Sequence, residues 1–113
     1  MFPAASFDDE ALWSARTTPH LFPDGTPVRV HVAFGPTGAD VSDRGETLKY
    51  VGDCAAGRLL PPRLRAQVVS VCRIEDVALE AGAFRVHVPP GGDVSEAVER
   101  MARLAERIAH LVS

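Results

Sequence analysis

Near the end of the chain, apolar residues recur at alternating intervals of four and three: Val94, Val98, Met101, Ala105, Ile108 and Val112. That rhythm keeps one side of an α-helix apolar, since a turn takes about 3.6 residues. Ala97, Leu104 and Leu111 flank the seam and widen it beyond the narrow strip of a coiled coil. Asp93 stands where a cap accepts orphan backbone N–H groups, and Glu96, three residues on, completes a reciprocal capping box. Glu96 with Arg100, and Glu99 with Arg103, have the spacing of ion pairs on the polar side. The pattern predicts a long amphipathic helix over residues 93–112.

A period of two appears upstream. Val28, Val30, Val32 and Phe34 alternate with Arg29, His31 and Ala33, as in a strand with one buried face. Pro23, Asp24 and Gly25 form a turn ahead of it. Phe84, Val86 and Val88 repeat the alternation, and Ala81-Gly82 joins them to residues 77–80 as a hairpin that Pro89-Pro90-Gly91-Gly92 ends. Other segments carry weaker signals. Residues 35–45 hold glycines and a proline and read as a flexible, partner-contacting loop. Residues 47–52 read as a strand with Leu48 and Tyr50 opposite Lys49 and Val51. Over 65–74 the residues Leu64, Val68 and Val71 fit a helical stripe, but the valine density favours a strand. At the start, Ser6 caps an expected short helix over 7–16, with Asp8, Asp9 and Glu10 in its first turn, and Thr17-Thr18-Pro19 stops it.

Together these elements predict one α+β domain over 1–113. An antiparallel sheet of four to five strands occupies 27–88, the long C-terminal helix packs on its apolar face, and the short N-terminal helix lies at the edge. A small open barrel flanked by the same helix is the alternative. Runs of strands followed by one long helix argue against alternating βαβ units.

Composition narrows the classes of function. The chain is 46% hydrophobic and 24% charged, the balance of a folded domain and not of a disordered one. A net charge of -3 gives no overall attraction to nucleic acid or to an anionic membrane, so a nucleic-acid partner is not expected. No apolar run approaches the length of a membrane span. The first residues carry acids and lack the basic leader and apolar core of a secretory signal, so a cytoplasmic protein with reduced thiols is expected. The basic residues are arginines apart from Lys49, and asparagine is absent, which suggests a GC-rich bacterial genome.

Candidate chemistry is sparse. Arg-Val-His-Val occurs at 29–32 and again at 85–88, but the flanking sequences differ, so duplication is not inferred. Alternation places Arg29, His31, Arg85 and His87 on the side away from the valines. If the two strands were neighbours, this face could bind an anion, or a metal between His31 and His87 with a third ligand from Asp53 or Cys54. No metal-binding spacing supports the latter, and neither a metal nor a cofactor is assigned. Gly52 and Gly57 have phosphate-loop spacing, but Arg58-Leu59 replaces the lysine and hydroxyl residue such a loop needs. Arg58, Arg63 and Arg65 read as solvated loop charges. Cys54, after Asp53, is the candidate nucleophile for a thiol-dependent enzyme, and Cys72 reads as core.

No catalytic residue is assigned, and the expectation is a non-catalytic interaction or assembly module, a homo-oligomer or one that binds another protein. Met101, Leu104 and Leu111 are the expected contact residues. The alternatives are an anion- or metal-binding domain using the Arg/His face, and the thiol enzyme.

Overall fold

The computed structural model describes residues 13–54 and 62–111. In chain order the elements are β1 (Ser14–Leu21), β2 (Pro27–Gly35), β3 (Gly38–Ser42), α1 (Glu46–Cys54), α2 (Pro62–Glu75), β4 (Ala78–Glu80), β5 (Ala83–Val88) and α3 (Val94–His110). The fold is α+β. Its five strands form an open sheet in the order β1-β2-β3-β5-β4, antiparallel at every pairing. β3 is therefore central, and α1 and α2 occupy the excursion before the β4–β5 hairpin.

The alternating strands behave as their sequences require. Val28, Val30 and Val32 of β2, Ala39 and Val41 of β3, and Phe84, Val86 and Val88 of β5 are buried on one face. α3 crosses that face and touches β1, β2, β3 and β5. Phe34 belongs to the same face by register, yet at the hairpin end it is 65% exposed. Ala81 and Gly82 both have positive φ, the backbone of the tight hairpin turn whose twist matches its strands.

Several expectations are corrected. Ser14, Ala15 and Arg16, expected to end an N-terminal helix, lie in β1, while residues 7–12 of that expected helix lie outside the described residues. Pro19 is tolerated because β1 is an edge strand, and its register with β2 is irregular between Thr17 and Leu21. The expected loop over 35–45 contains β3, whose small and polar residues carry no strong strand signature but whose backbone completes the sheet. The expected strand over 47–52 is α1, in which Thr47 and Val51, one turn apart, face the core. The segment 65–74 is helical too: Val68, Val71, Cys72 and Glu75 form the buried stripe of α2. Docking on α3 outweighs the modest helix penalty of valine. Pro62 takes the first helical position, where its missing N–H costs nothing. A Schellman motif ends α2, with Val77 N–H donating to Cys72 O at 3.0 Å, Asp76 N–H to Arg73 O at 3.3 Å, and Asp76 left-handed.

The width of α3 is accounted for within the chain. Its other neighbours are α1 and α2, so apolar positions beyond the sheet meet helices instead of solvent. Met101 and Leu104 are 0% exposed, and Leu111 packs against the core partly buried. At the start of the helix Asp93 Oδ1 accepts from Glu96 N–H at 3.0 Å. The reciprocal half of the capping box is replaced, because the Glu96 carboxylate takes Arg100 Nε and Nη2 at 3.2 and 2.7 Å. Arg103 turns from Glu99 to Glu75 of α2.

Candidate functional site

The side of the sheet away from α3 collects the polar half of each strand. Arg29 and His31 on β2 and Arg85 and His87 on β5 all fall on it, as alternation predicts. They form two groups, however, because β3 runs between them. Ser42 of β3 is the cross-strand partner of both His31 and Arg85, and Asp40 is that of His87.

Each of the four side chains meets a carboxylate. His31 Nε2 lies 2.7 Å from Glu46 Oε2 at the start of α1, and Arg29 Nη2 lies 3.7 Å from the same oxygen. Arg85 Nη2 donates to Asp40 Oδ2 at 3.0 Å and approaches Glu80 at 3.7 Å. His87 Nδ1 sits 3.1 Å from Asp40 Oδ1, and its Nε2 lies 3.0 Å from Thr37 O. The face is therefore internally compensated and is not a bare cationic plate. Among the described residues no three His, Cys, Asp or Glu side chains converge as a metal centre would.

Arg44, half-buried in this region, is a cation the sequence patterns do not mark. Asp43, 1% exposed at the end of β3, anchors three backbone amides: Oδ1 accepts from Gly45 at 3.0 Å and Phe84 at 2.9 Å, and Oδ2 from Thr47 at 3.0 Å. This carboxylate ties β3 to β5 and to the first turn of α1. It holds the next residue, Arg44, in the left-handed region at φ 55°. Arg44 N–H donates to Ser42 Oγ at 2.9 Å. The Arg44 side chain passes beneath Trp13, its guanidinium carbon 5.1 Å from the ring centroid, within cation–π range. Among the described residues no carboxylate lies within ion-pair distance of Arg44, and its Nη1 is buried with no hydrogen-bond partner.

Two hollows share Trp13 and Arg44 as walls. One, of about 280 Å³, opens toward β5 and β4 and is completed by Ser42, Glu80, Ala81, Ala83 and Arg85. The other, of about 310 Å³, opens toward β2 and α1 and is completed by His31 and Glu46. Sequence reasoning passed over this site because Trp13 and Arg44 have no relation in spacing. One signal was available: Asp43 precedes Glu46 by three, the spacing that marked Asp93 and Glu96 as a helix start.

The other candidates fare differently. Met101 and Leu104, expected at a subunit contact, are sealed inside this chain, and Leu111 offers only part of its surface. Cys72 is a free, buried thiol whose pKa is raised by burial and further by the charge of Asp43, which makes it an inert core residue. Cys54 closes α1, and its side chain lies outside the described residues, as does Arg58. Arg63 and Arg65 are exposed on α2 and do not sit in a loop. No described helix is long and apolar enough to cross a membrane. No family model matches the chain, and neither do the curated proteins or the solved structures with which it was compared.

Proposed function

We propose that this chain is a non-catalytic interaction module whose working surface is the outer sheet face around Trp13 and Arg44. One observation carries the reading: among the described residues Arg44 lacks a counter-charge, and one of its nitrogens is buried without an acceptor beside two open hollows. An acceptor in either hollow would pair the guanidinium N–H groups that stay accessible there, a charge-assisted bond of about 1.5–3 kcal/mol. The backbone supports the same surface, since Asp43 fixes Arg44 in a conformation that a non-glycine residue adopts at some cost. α3, by contrast, spends its apolar face on the core of its own chain.

The chain has a single tryptophan, and it lies in the site. Small planar compounds of neutral, cationic and anionic character are titrated against isotope-labelled protein, following the Trp13 indole N–H and the Ser42 and Arg44 amides. Saturable shifts centred on those three residues support the reading. Shifts confined to other surfaces, or none, count against it.

Self-association is the second reading, now placed on a different surface. Val69 and Ile74 of α2 and Leu79 of the edge strand β4 are exposed, Ile74 at 67%. Sedimentation of the wild type beside Ile74→Glu and Leu79→Glu tests it. A dimer that both changes dissociate supports the idea, and a wild-type monomer over the micromolar range removes it.

A further inference from the structure

We infer that the occupant of the hollow toward β5 is a singly charged carboxylate borne on a small flat apolar body, such as an aromatic acid or the terminal carboxylate of a peptide. The inference rests on the reading that the outer face around Arg44 is the working surface, and it names what that surface recognises.

The sign of the charge follows from which cation the ion pairs leave without a carboxylate. Glu46 is engaged by His31 and Arg29, and Asp40 and Glu80 by Arg85. Among the described residues Arg44 is the cation of the two hollows with no carboxylate at ion-pair distance, so an anionic acceptor would give it the partner that Arg29 and Arg85 already have. A doubly charged group is disfavoured, because Glu80 lines this hollow and Glu46 the adjoining one. A carboxylate suits a guanidinium better than a sphere of charge does, since two coplanar oxygens match two parallel N–H groups.

The hydroxyl of Ser42 adds a directed donor. Its oxygen already accepts the Arg44 backbone N–H, so its own hydrogen is available to a group in the hollow it lines. The rest of the lining sets the body. The Trp13 ring with Ala81 and Ala83 offers flat apolar walls, suited to stacking or edge contact. The volume, about 280 Å³, lies just below the range of drug-sized ligand pockets, about 300 to 1,000 Å³, and so suits a small body.

The test uses benzoate and benzamide, which share a planar shape and differ in charge, together with inorganic phosphate, each titrated against the full chain with the Trp13 indole N–H as reporter. Benzoate is expected to shift that resonance saturably with a dissociation constant of about 1 mM, and benzamide about tenfold more weakly. Added salt weakens benzoate binding. Arg44→Gln weakens it about tenfold while leaving the α3 resonances in place. Arg44→Gly, which also relieves the left-handed backbone, provides a folded variant without the guanidinium and shows the same loss. Ser42→Ala, with the cation kept, gives a smaller loss. Benzamide binding as well as benzoate, phosphate binding more tightly than benzoate, or unchanged benzoate affinity in Arg44→Gly overturns the carboxylate assignment. In those cases a Trp13 response to neutral compounds still leaves the working surface standing. Silence of Trp13 toward every compound removes both.

Discussion

His20 and Glu106 lie 86 positions apart in sequence, and the imidazole Nδ1 sits 2.9 Å from the carboxylate Oε1. The other ring nitrogen, Nε2, meets Oε2 of Glu99, about two turns earlier on α3. Two carboxylate acceptors facing both nitrogens are satisfied together only by the imidazolium. The edge strand β1 is thereby clamped to α3 through a charge. The hydrogen bond to Glu106 raises the His20 pKa above the ordinary histidine value, burial opposes the rise, and the Glu99 bond adds to it. The acids facing the ring are these two glutamates, and His110 stands close enough to Glu106 to act on it.

Stability is therefore expected to decline as the solution turns alkaline. A histidine whose folded pKa is raised contributes fully below its unfolded value, about 6.5, and the contribution is lost as pH rises through the folded value. Because both glutamates are a third or more exposed, the loss is screened to about 1 kcal/mol. Urea midpoints of wild type and His20→Gln, measured at about pH 6 and about pH 9, check it. The difference between the proteins should be largest at the acid end and fade at the alkaline end. A difference that is constant with pH would show the clamp to be neutral.

Glu75 predicts the opposite slope. Its carboxylate, 8% exposed at the end of α2, accepts Arg103 Nη2 at 2.9 Å and Arg103 Nε at 3.1 and 3.2 Å, with Arg107 Nη1 at 3.4 Å. The Arg103 hydrogen bonds hold its pKa below the usual glutamate value against the effect of burial, and the charges of Arg103 and Arg107 assist. A depressed carboxylate pKa means stability present above the unfolded value and lost as pH falls through the folded one. Glu75→Gln should cost about 1 kcal/mol at neutral pH, the arginines being more than a third exposed. That cost should shrink below about pH 4. Chemical denaturation at a series of acid pH values measures it, and a cost that stays undiminished there would contradict the ion-pair account.

How far the sequence discloses this molecule depends on whether a residue's role is local. The β2 alternation and the α3 seam are local facts, and both are realised. β3 is hidden because it is short, with Ala39 and Val41 its only apolar members, and its outward members Asp40 and Ser42 pair across strands with His31, Arg85 and His87, which no local window shows. α2 reads two ways until α3 supplies the surface that Val68, Val71 and Cys72 cover. The same limit applies to the site. Alternation correctly puts Arg29, His31, Arg85 and His87 on one face, but carboxylates from other elements neutralise them, and Arg44 owes its place to Asp43 and Trp13.

Leu104 separates core from interface. It is 0% exposed, so Leu104→Ala should leave a cavity and lower the unfolding free energy by about 2–5 kcal/mol. The molecular mass in solution should be unchanged by the substitution. If instead the variant keeps wild-type stability and changes only its mass, α3 is an exposed contact helix and the burial described above is wrong.

Thr47 offers a substitution that should strengthen the fold. It is 0% exposed in α1, and its Oγ1 is buried with no hydrogen-bond partner. Its structural duty belongs to the backbone, whose N–H donates to Asp43 Oδ2, and that bond survives any side chain except proline. Valine has nearly the same shape and replaces the hydroxyl with a methyl group, removing the desolvation cost of an unmade hydrogen bond. Thr47→Val is therefore expected to stabilise by about 1 kcal/mol, against a helix-propensity difference close to nil. Thermal and urea unfolding of the two proteins at one pH decide the point. A destabilisation of similar size would mean that the hydroxyl finds an acceptor in solution, and that the packing between α1 and the sheet is looser than the buried Thr47 and Val51 imply.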